Sequence, residues 1–230
     1  MSQTRETTPP AARKARRGYD KGDETRLGIL ESALIMFGEA GYAAVTTRQI
    51  AAAAGVNLPA LSYYFGGKEG LYLACAEEVI DHWRRHAQEG AEDAAEALES
   101  SVAPEEARRL LKLVFADLKS ILEDSNVSKA KLEFLSREMH EPGPAYELLY
   151  TQLWRPGVEI VAALIAAVRE KAGAEDADRL EALLMLSNLS VATHGRTVTM
   201  RTMGWKDIGP EELSTLFATI DRQIDALGGR

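Results

Sequence analysis

The residues best suited to chemistry fall between Thr46 and Lys68, in TTRQIAAAAGVNLPALSYYFGGK. Asn57, Ser62 and Tyr63 offer hydrogen-bonding groups, Leu58 and Ala60 offer compact apolar contacts, and Lys68 offers a cation suited to a phosphate. A surface carrying these groups can enter a major groove about 12 Å wide, where base edges differ in donor and acceptor pattern. Elsewhere the candidates are sparser. His82 and His86 stand four apart with Glu78 one turn earlier, a competent spacing for a metal. No further ligand or supporting partner is visible in the sequence, so the pair is read as solvated or helix-packing, and no metal or cofactor is assigned. His194 with Arg196 fits an anion-binding pair or, more simply, a structural salt link. There is no phosphate-cradling glycine loop, nucleophile elbow or clustered cysteine site, which argues against an enzyme.

Positioning these groups requires two short helices and a tight turn. Thr46 with Gln49 fits a capping box, in which each side chain satisfies a backbone donor at a helix start. Gly55 is placed to end that helix in left-handed geometry, Asn57 to cap the next, and Pro59 to occupy its first turn. Close crossing needs a small residue, supplied by Ala51. Ile50, Ala54, Val56, Leu61 and Tyr64 supply the inward apolar contacts. The pattern predicts a helix-turn-helix and points to transcription control; a helical protein-interaction module is the rival reading. A first helix from Asp23 to Gly41, with Leu27, Leu30, Leu34 and Phe37 on one side, would brace it.

Residues 24 to 72 resemble the DNA-binding domain of the TetR family of one-component regulators. The likeness rests on the run G-Y-x-x-x-T-T-x-x-I-A-x-x-A-G-V and the close Y-x-F-x-x-K-E-x-L. It implies that Thr46, Thr47 and Arg48 lie against DNA at the start of the second helix. It also implies that Asn57, Leu58, Pro59, Ala60, Ser62, Tyr63 and Tyr64 belong to the recognition segment, and that Lys68 contacts a phosphate. Residues 128 to 157, with R-E-M-x-E-P-x-P-A-x-x-x-L-Y leading to R-P, are similar to the C-terminal domain of the CecR-like branch. That branch commonly controls transport or drug-efflux genes, as repressor or, in the alternative, activator.

Charge supports a nucleic-acid partner once its distribution is considered. The net charge of −8 divides into +3 over residues 1 to 68 and −11 over the rest. Arg13, Lys14, Arg16, Arg17 and Lys21 form a basic arm expected to lack regular structure; it either tracks DNA or is a solvated tail. No apolar run reaches the roughly 20 residues of a membrane span, and the single Cys75 fits a small buried residue in a reducing cytoplasm.

The expected fold is all-α. A disordered arm occupies residues 1–22, a three-helix DNA-binding domain 23–70, and a helical effector-binding and dimerisation domain 71–230. Beyond Lys68 the spacing predicts a helix through Trp83, a weaker stretch over residues 87–103, and helices from Pro104 and over Lys129 to His140. A helix from Ala145 toward Lys171 is expected to kink at Pro156, followed by helices over Asp176 to Met203 and Pro210 to Leu227. Phe115, Phe134, Met139, Tyr146, Tyr150, Trp154, Met185 and Met200 could line a cavity for a small-molecule effector, with Arg137, Glu138, His140, Asn188, His194 and Arg196 as polar groups. Of these, Phe115, Phe134, Arg137, Tyr150, Trp154, Met185, Asn188 and His194 are taken as candidate ligand residues. Plain core is the competing reading of the same stripe. A lone motif buries too little surface for specific binding, so a homodimer on a palindromic operator is expected, joined through Leu183, Leu186, Leu213, Leu216 and Ile220.

Overall fold

Every regular element in the computed structural model is helical among the described residues, 10–100, 102–124 and 129–228. Helix α1 spans Pro10–Ala44, α2 Thr47–Ala53, α3 Leu58–Phe65 and α4 Lys68–Glu99. They are followed by α5 (Pro104–Glu123), α6 (Lys129–His140), α7 (Tyr146–Leu149) and α8 (Arg155–Val168). Helices α9 (Asp176–Ser187), α10 (Arg196–Met203) and α11 (Pro210–Asp225) complete the chain.

Two apolar clusters organise these helices. The first gathers Ile29, Leu30, Leu34 and Phe37 of α1 with Ile50 and Ala51 of α2, and Leu61 and Phe65 of α3. It continues through Leu71, Tyr72, Cys75 and Val79 of α4 into Ala130, Phe134 and Leu135 of α6. The packing around the motif therefore does not stop near residue 70. The second cluster joins Ala94 of α4 to Leu110, Leu111 and Phe115 of α5, the inner face of α8, and Leu213, Phe217, Ile220 and Ile224 of α11. Fully burying one such side chain stabilises by roughly 1.5–3 kcal/mol. Cys75 has no exposed surface, and burial, reinforced by Glu78, pushes its thiol above the usual range.

Several elements differ from the sequence expectation, each for a physical reason. The apolar stretch Gly22–Ala44 is long enough and apolar enough to pass as a membrane span, contrary to expectation. Its buried residues face α2 to α4 and α6 instead, making it the core helix of the N-terminal head. Helix α1 also runs back to Pro10, through part of the arm expected to lack regular structure. Ala, Arg and Lys are good helix formers, and extending an existing helix needs no new nucleus; residues 1–9 of the arm lie outside the described residues.

Helix α4 does not weaken after residue 86 but continues to Glu99, because an Ala/Glu-rich stretch has high helix propensity and Ala94 is anchored in the second cluster. At Pro156 the expected kink takes the form of a π-helical turn, Tyr150–Trp154. Proline cannot donate to Gln152, so the chain opens by one residue, and the Arg155 N–H instead reaches the Tyr150 carbonyl.

The helix expected from Asp176 to Met203 is broken. A short 3₁₀ turn covers Asn188–Val191, and α10 begins afresh at Arg196. Ser187 donates to the Leu183 carbonyl and Thr193 to that of Leu189, the local competition that makes such residues poor helix interiors. Leu213 and Ile220, expected at a dimer interface, belong instead to the chain's own core, 4% and 1% exposed.

Candidate nucleic-acid interface

The turn chemistry read from the sequence is realised atom by atom in the motif. Thr46 N–H donates to Gln49 Oε1 at 2.9 Å, and Gln49 N–H returns the bond to Thr46 Oγ1 at 3.3 Å. Gly55 adopts φ +66, and Asn57 Oδ1 accepts from the Ala60 N–H at 2.9 Å. Ile50 and Ala51 of α2 and Leu61 and Phe65 of α3 are buried, which fixes how the two helices cross.

That crossing leaves one continuous outward surface. Thr46, Arg48, Asn57, Leu58, Pro59, Ser62 and Tyr63 are exposed, Tyr63 by 83%, while Thr47, Ala60, Tyr64 and Lys68 are half-buried. The Tyr64 ring turns partly inward, edge-on to Tyr63 and tilted against Phe65. Lys68 Nζ lies 4.4 Å from the Tyr42 ring centroid, which steers the ammonium at the first residue of α4. Two supporting contacts have no local sequence signal. The Arg26 guanidinium covers Phe65 at 5.3 Å, and Arg137 of α6 reaches across to the end of α1.

Arg137 Nε donates to the Gly38 carbonyl at 3.0 Å and Nη2 to that of Glu39 at 2.7 Å, satisfying acceptors that the bend after them would orphan. The bend is Gly41, at φ +81, where an added Cβ would press on Arg137 Cδ at 3.1 Å. Beneath it, the Tyr72 hydroxyl donates to Glu138 Oε1, and Gly143 N–H donates to Glu138 Oε2 at 3.1 Å. Burial and then that bond push the Tyr72 phenol well above its usual range, so it stays a donor at any physiological pH. Phe134, with no exposed surface, packs its ring 4.9 Å from Tyr72. Phe134 and Arg137 thus tie α6 to the N-terminal head.

The candidate ligand residues do not converge on one cavity. Phe115 and Met185 lie in the second cluster and Phe134 in the first. Asn188 donates to Gln223 at 2.9 Å, and exposed His194 stands beside His140, with ring centroids 5.2 Å apart. Burial and then His140 depress the His194 pKa, while Arg196 pairs with Asp207, so these two residues form no joint anion site. Tyr150 and Trp154 do come together, each packed on Tyr146 along the π-helical turn.

Comparison with known proteins agrees with this geometry. Residues 29–75 match the family described as bacterial regulatory proteins, tetR family. Residues 107–229 match the C-terminal domain of the HTH-type transcriptional dual regulator CecR. The chain is 32% identical over 214 residues to CecR of Shigella flexneri, covering 90% of this chain and 92% of that one. A TetR-like transcriptional regulator from Rhodococcus sp. RHA1 shares the fold at TM-score 0.59 and 17% identity, covering 90% of this chain and 97% of that chain. The structure of a SmeT–triclosan complex does so at TM-score 0.56 and 20% identity, covering 85% and 91% respectively. With a capped helix-turn-helix in front and a CecR-type domain behind, the chain belongs to the TetR family of DNA-binding transcriptional regulators.

Proposed function

We propose that the protein is a homodimeric repressor that leaves a palindromic operator when a small-molecule effector binds, and that its targets are transport or efflux genes. One observation carries the DNA half of this reading. The Thr46–Arg48 and Asn57–Tyr63 segments present exposed hydrogen-bonding groups on a single face braced by a closed core. In this reading Arg48, Ser62 and Tyr63 meet base edges or the groove wall, and Lys68, at the uncapped start of α4, meets a phosphate.

Dimerisation is supported by α9, whose Leu180, Leu183 and Leu184 are 59%, 49% and 62% exposed on one side while Asp178, Ala182 and Met185 face inward. An apolar face of this kind marks a protein interface. The effector reading rests on Tyr146, Tyr150 and Trp154, aromatics gathered at a π-helical turn, a distortion that recurs at functional sites. SmeT, a protein of similar fold, is known in complex with triclosan. A second reading, in which the protein also activates, is favoured by the name dual regulator borne by the Shigella relative.

The test is binding to the chain's own upstream DNA across a salt series. Lys68→Ala should weaken operator and random DNA alike and lower the salt slope by about 1 per site. Arg48→Ala should erode discrimination by about 1–3 kcal/mol. Equal effects of Arg48→Ala on both DNAs would remove its base-reading role. Trp154→Ala should keep operator affinity within a few fold and blunt release by the inducing compound.

A further inference from the structure

Asp124, at the C-terminal end of α5, supplies what the His82–His86 pair lacks in sequence. The carboxylate oxygen Oδ2 stands 3.0 Å from His86 Nε2 and 3.9 Å from His82 Nε2, and the three ligand atoms lie within 4.8 Å of one another. The two rings are 4.3 Å apart and tilted by 32°. His82 is 4% exposed, and its Nε2 is the one buried side-chain nitrogen or oxygen among the described residues without a hydrogen-bond partner. At 3.9 Å the Asp124 oxygen is too far to serve as one.

The hydrogen-bond pattern constrains what can sit between these groups. His86 Nδ1 lies 2.9 Å from the His82 carbonyl oxygen, which can only accept, so Nδ1 carries the hydrogen. In the neutral ring Nε2 then turns a lone pair toward a carboxylate oxygen 3.0 Å away. Two acceptors that close need a shared cation. A proton on His86 Nε2 would join those two atoms and leave buried His82 Nε2 unsatisfied. A metal ion satisfies both nitrogens and the carboxylate together.

We propose that His82, His86 and Asp124 form a binding site for a divalent transition metal of the zinc class. Two imidazoles and a carboxylate are a donor set that such ions accept. Metal–ligand bonds of 2.0–2.2 Å at tetrahedral angles place donor atoms about 3.3–3.6 Å apart, a range that the carboxylate–imidazole separations of 3.0 and 3.9 Å bracket. The His86 Nδ1 bond to a backbone carbonyl is the outer support that metal-ligating histidines use. Glu78, one turn earlier on α4, is engaged by Lys131 Nζ at 2.8 Å and is not offered to the site. Three protein ligands leave one coordination position for water or for an anionic or nitrogen-bearing group of an effector. The ion would tie α4, which leads out of the DNA-binding head, to the end of α5. Any effect on operator affinity rests on the DNA-binding reading above, whereas the site itself does not.

The experiment titrates the untagged, EDTA-stripped full chain with Zn²⁺ against a chromophoric chelator, and with Co²⁺ by visible absorption. The expected result is one ion per chain, intense tetrahedral cobalt bands, and a Zn²⁺-dependent rise in Tm. Loss of an outer-shell partner alone weakens metal sites by 10–100-fold, so His86→Gln and Asp124→Asn should each weaken binding by at least about 10-fold. His140→Gln, in the separate exposed pair with His194, should leave it unchanged. His86 is partly exposed, so its Gln variant should fold, which circular dichroism checks. Absence of stoichiometric binding by wild type, or unchanged affinity in folded His86→Gln, overturns the site. Operator gel shifts with and without Zn²⁺ separate the readings: metal bound with unaltered DNA affinity overturns the coupling alone. No operator binding at any metal level overturns the DNA reading and leaves the site standing.

Discussion

Helix pairs α2–α3 and α9–α10 lie in opposite halves of the chain and solve opposite problems. In the first, caps close both helix starts, and Ile50, Ala51, Leu61 and Phe65 point into the chain's own core. In the second, a 3₁₀ turn separates the helices, α10 has no buried residue, and Leu180, Leu183, Leu184, Val198 and Met203 face outward. The first pair is complete within one chain, and the second exposes apolar area that a second copy would cover. The polar face of α2–α3 thus stands on a core closed within one chain, while the apolar face of α9–α10 is left open by its own chain.

The comparison breaks most visibly if the outward leucines are unneeded. Leu180→Glu with Leu184→Glu should give a monomer in sedimentation and reduce operator affinity on the order of 10⁴-fold, toward non-specific binding. The monomer should keep its helical content by circular dichroism, because both side chains are more than half exposed within the single chain. A dimer surviving this pair of charges would move the interface elsewhere.

A buried residue of the closed region should behave in the opposite way. Phe134→Ala removes a ring with no exposed surface between α6 and the head and should cost about 3–5 kcal/mol in denaturant unfolding. Met139→Ala on the same helix, 56% exposed, should stay within about 0.5 kcal/mol. Similar losses for the two would mean that α6 does not brace the head.

The smallest effect separates the regions by pH. Burial alone would raise the Asp178 pKa, but the Glu175 N–H, Lys171 and Arg169 outweigh it and hold the carboxyl down to about 2 from 3.8. Its folded-state pKa is depressed, so its contribution is complete above about pH 5 and is lost as pH falls toward 2. Melting across that window should show on the order of 2 kcal/mol that Asp178→Asn lacks. If the variant keeps the full acid sensitivity, the α9 start is not where acid loosens the C-terminal half.

What could be read from the sequence divides along the range of the interaction. Thr46 and Gln49, or Asn57 and Ala60, are three residues apart, so their bonds follow from local chemistry alone. The face of α3 followed from the same spacing. Arg137 with Gly38 and Asp124 with His86 join distant helices, and nothing in either local pattern names the partner. The apolar stripe offered as a ligand pocket illustrates the same limit, because periodicity marks which side of a helix is apolar but not what it meets. Hence Phe115, Phe134 and Met185 share a pattern yet fall into different clusters, and Leu213 and Ile220 turn inward where Leu180 and Leu184 turn outward. The break after Ser187 was signalled by its Ser, Asn, Thr and Gly content, a composition that a search for apolar spacing passes over.

The unbroken length of α4 has a mechanical consequence. At 1.5 Å per residue its 32 residues make a rod of about 48 Å, and about 21 Å of it separates His82 from Lys68. With His82 as fulcrum, a tilt of about 10° swings the Lys68 end through roughly 4 Å. In a two-headed assembly the arms swing in opposite senses, so the heads part or close by about 8 Å, most of the roughly 12 Å width of a major groove. A displacement of about 1 Å one helical turn from the fulcrum would produce that tilt, so under the proposed switch a small local shift would be geared up into heads that no longer fit neighbouring grooves.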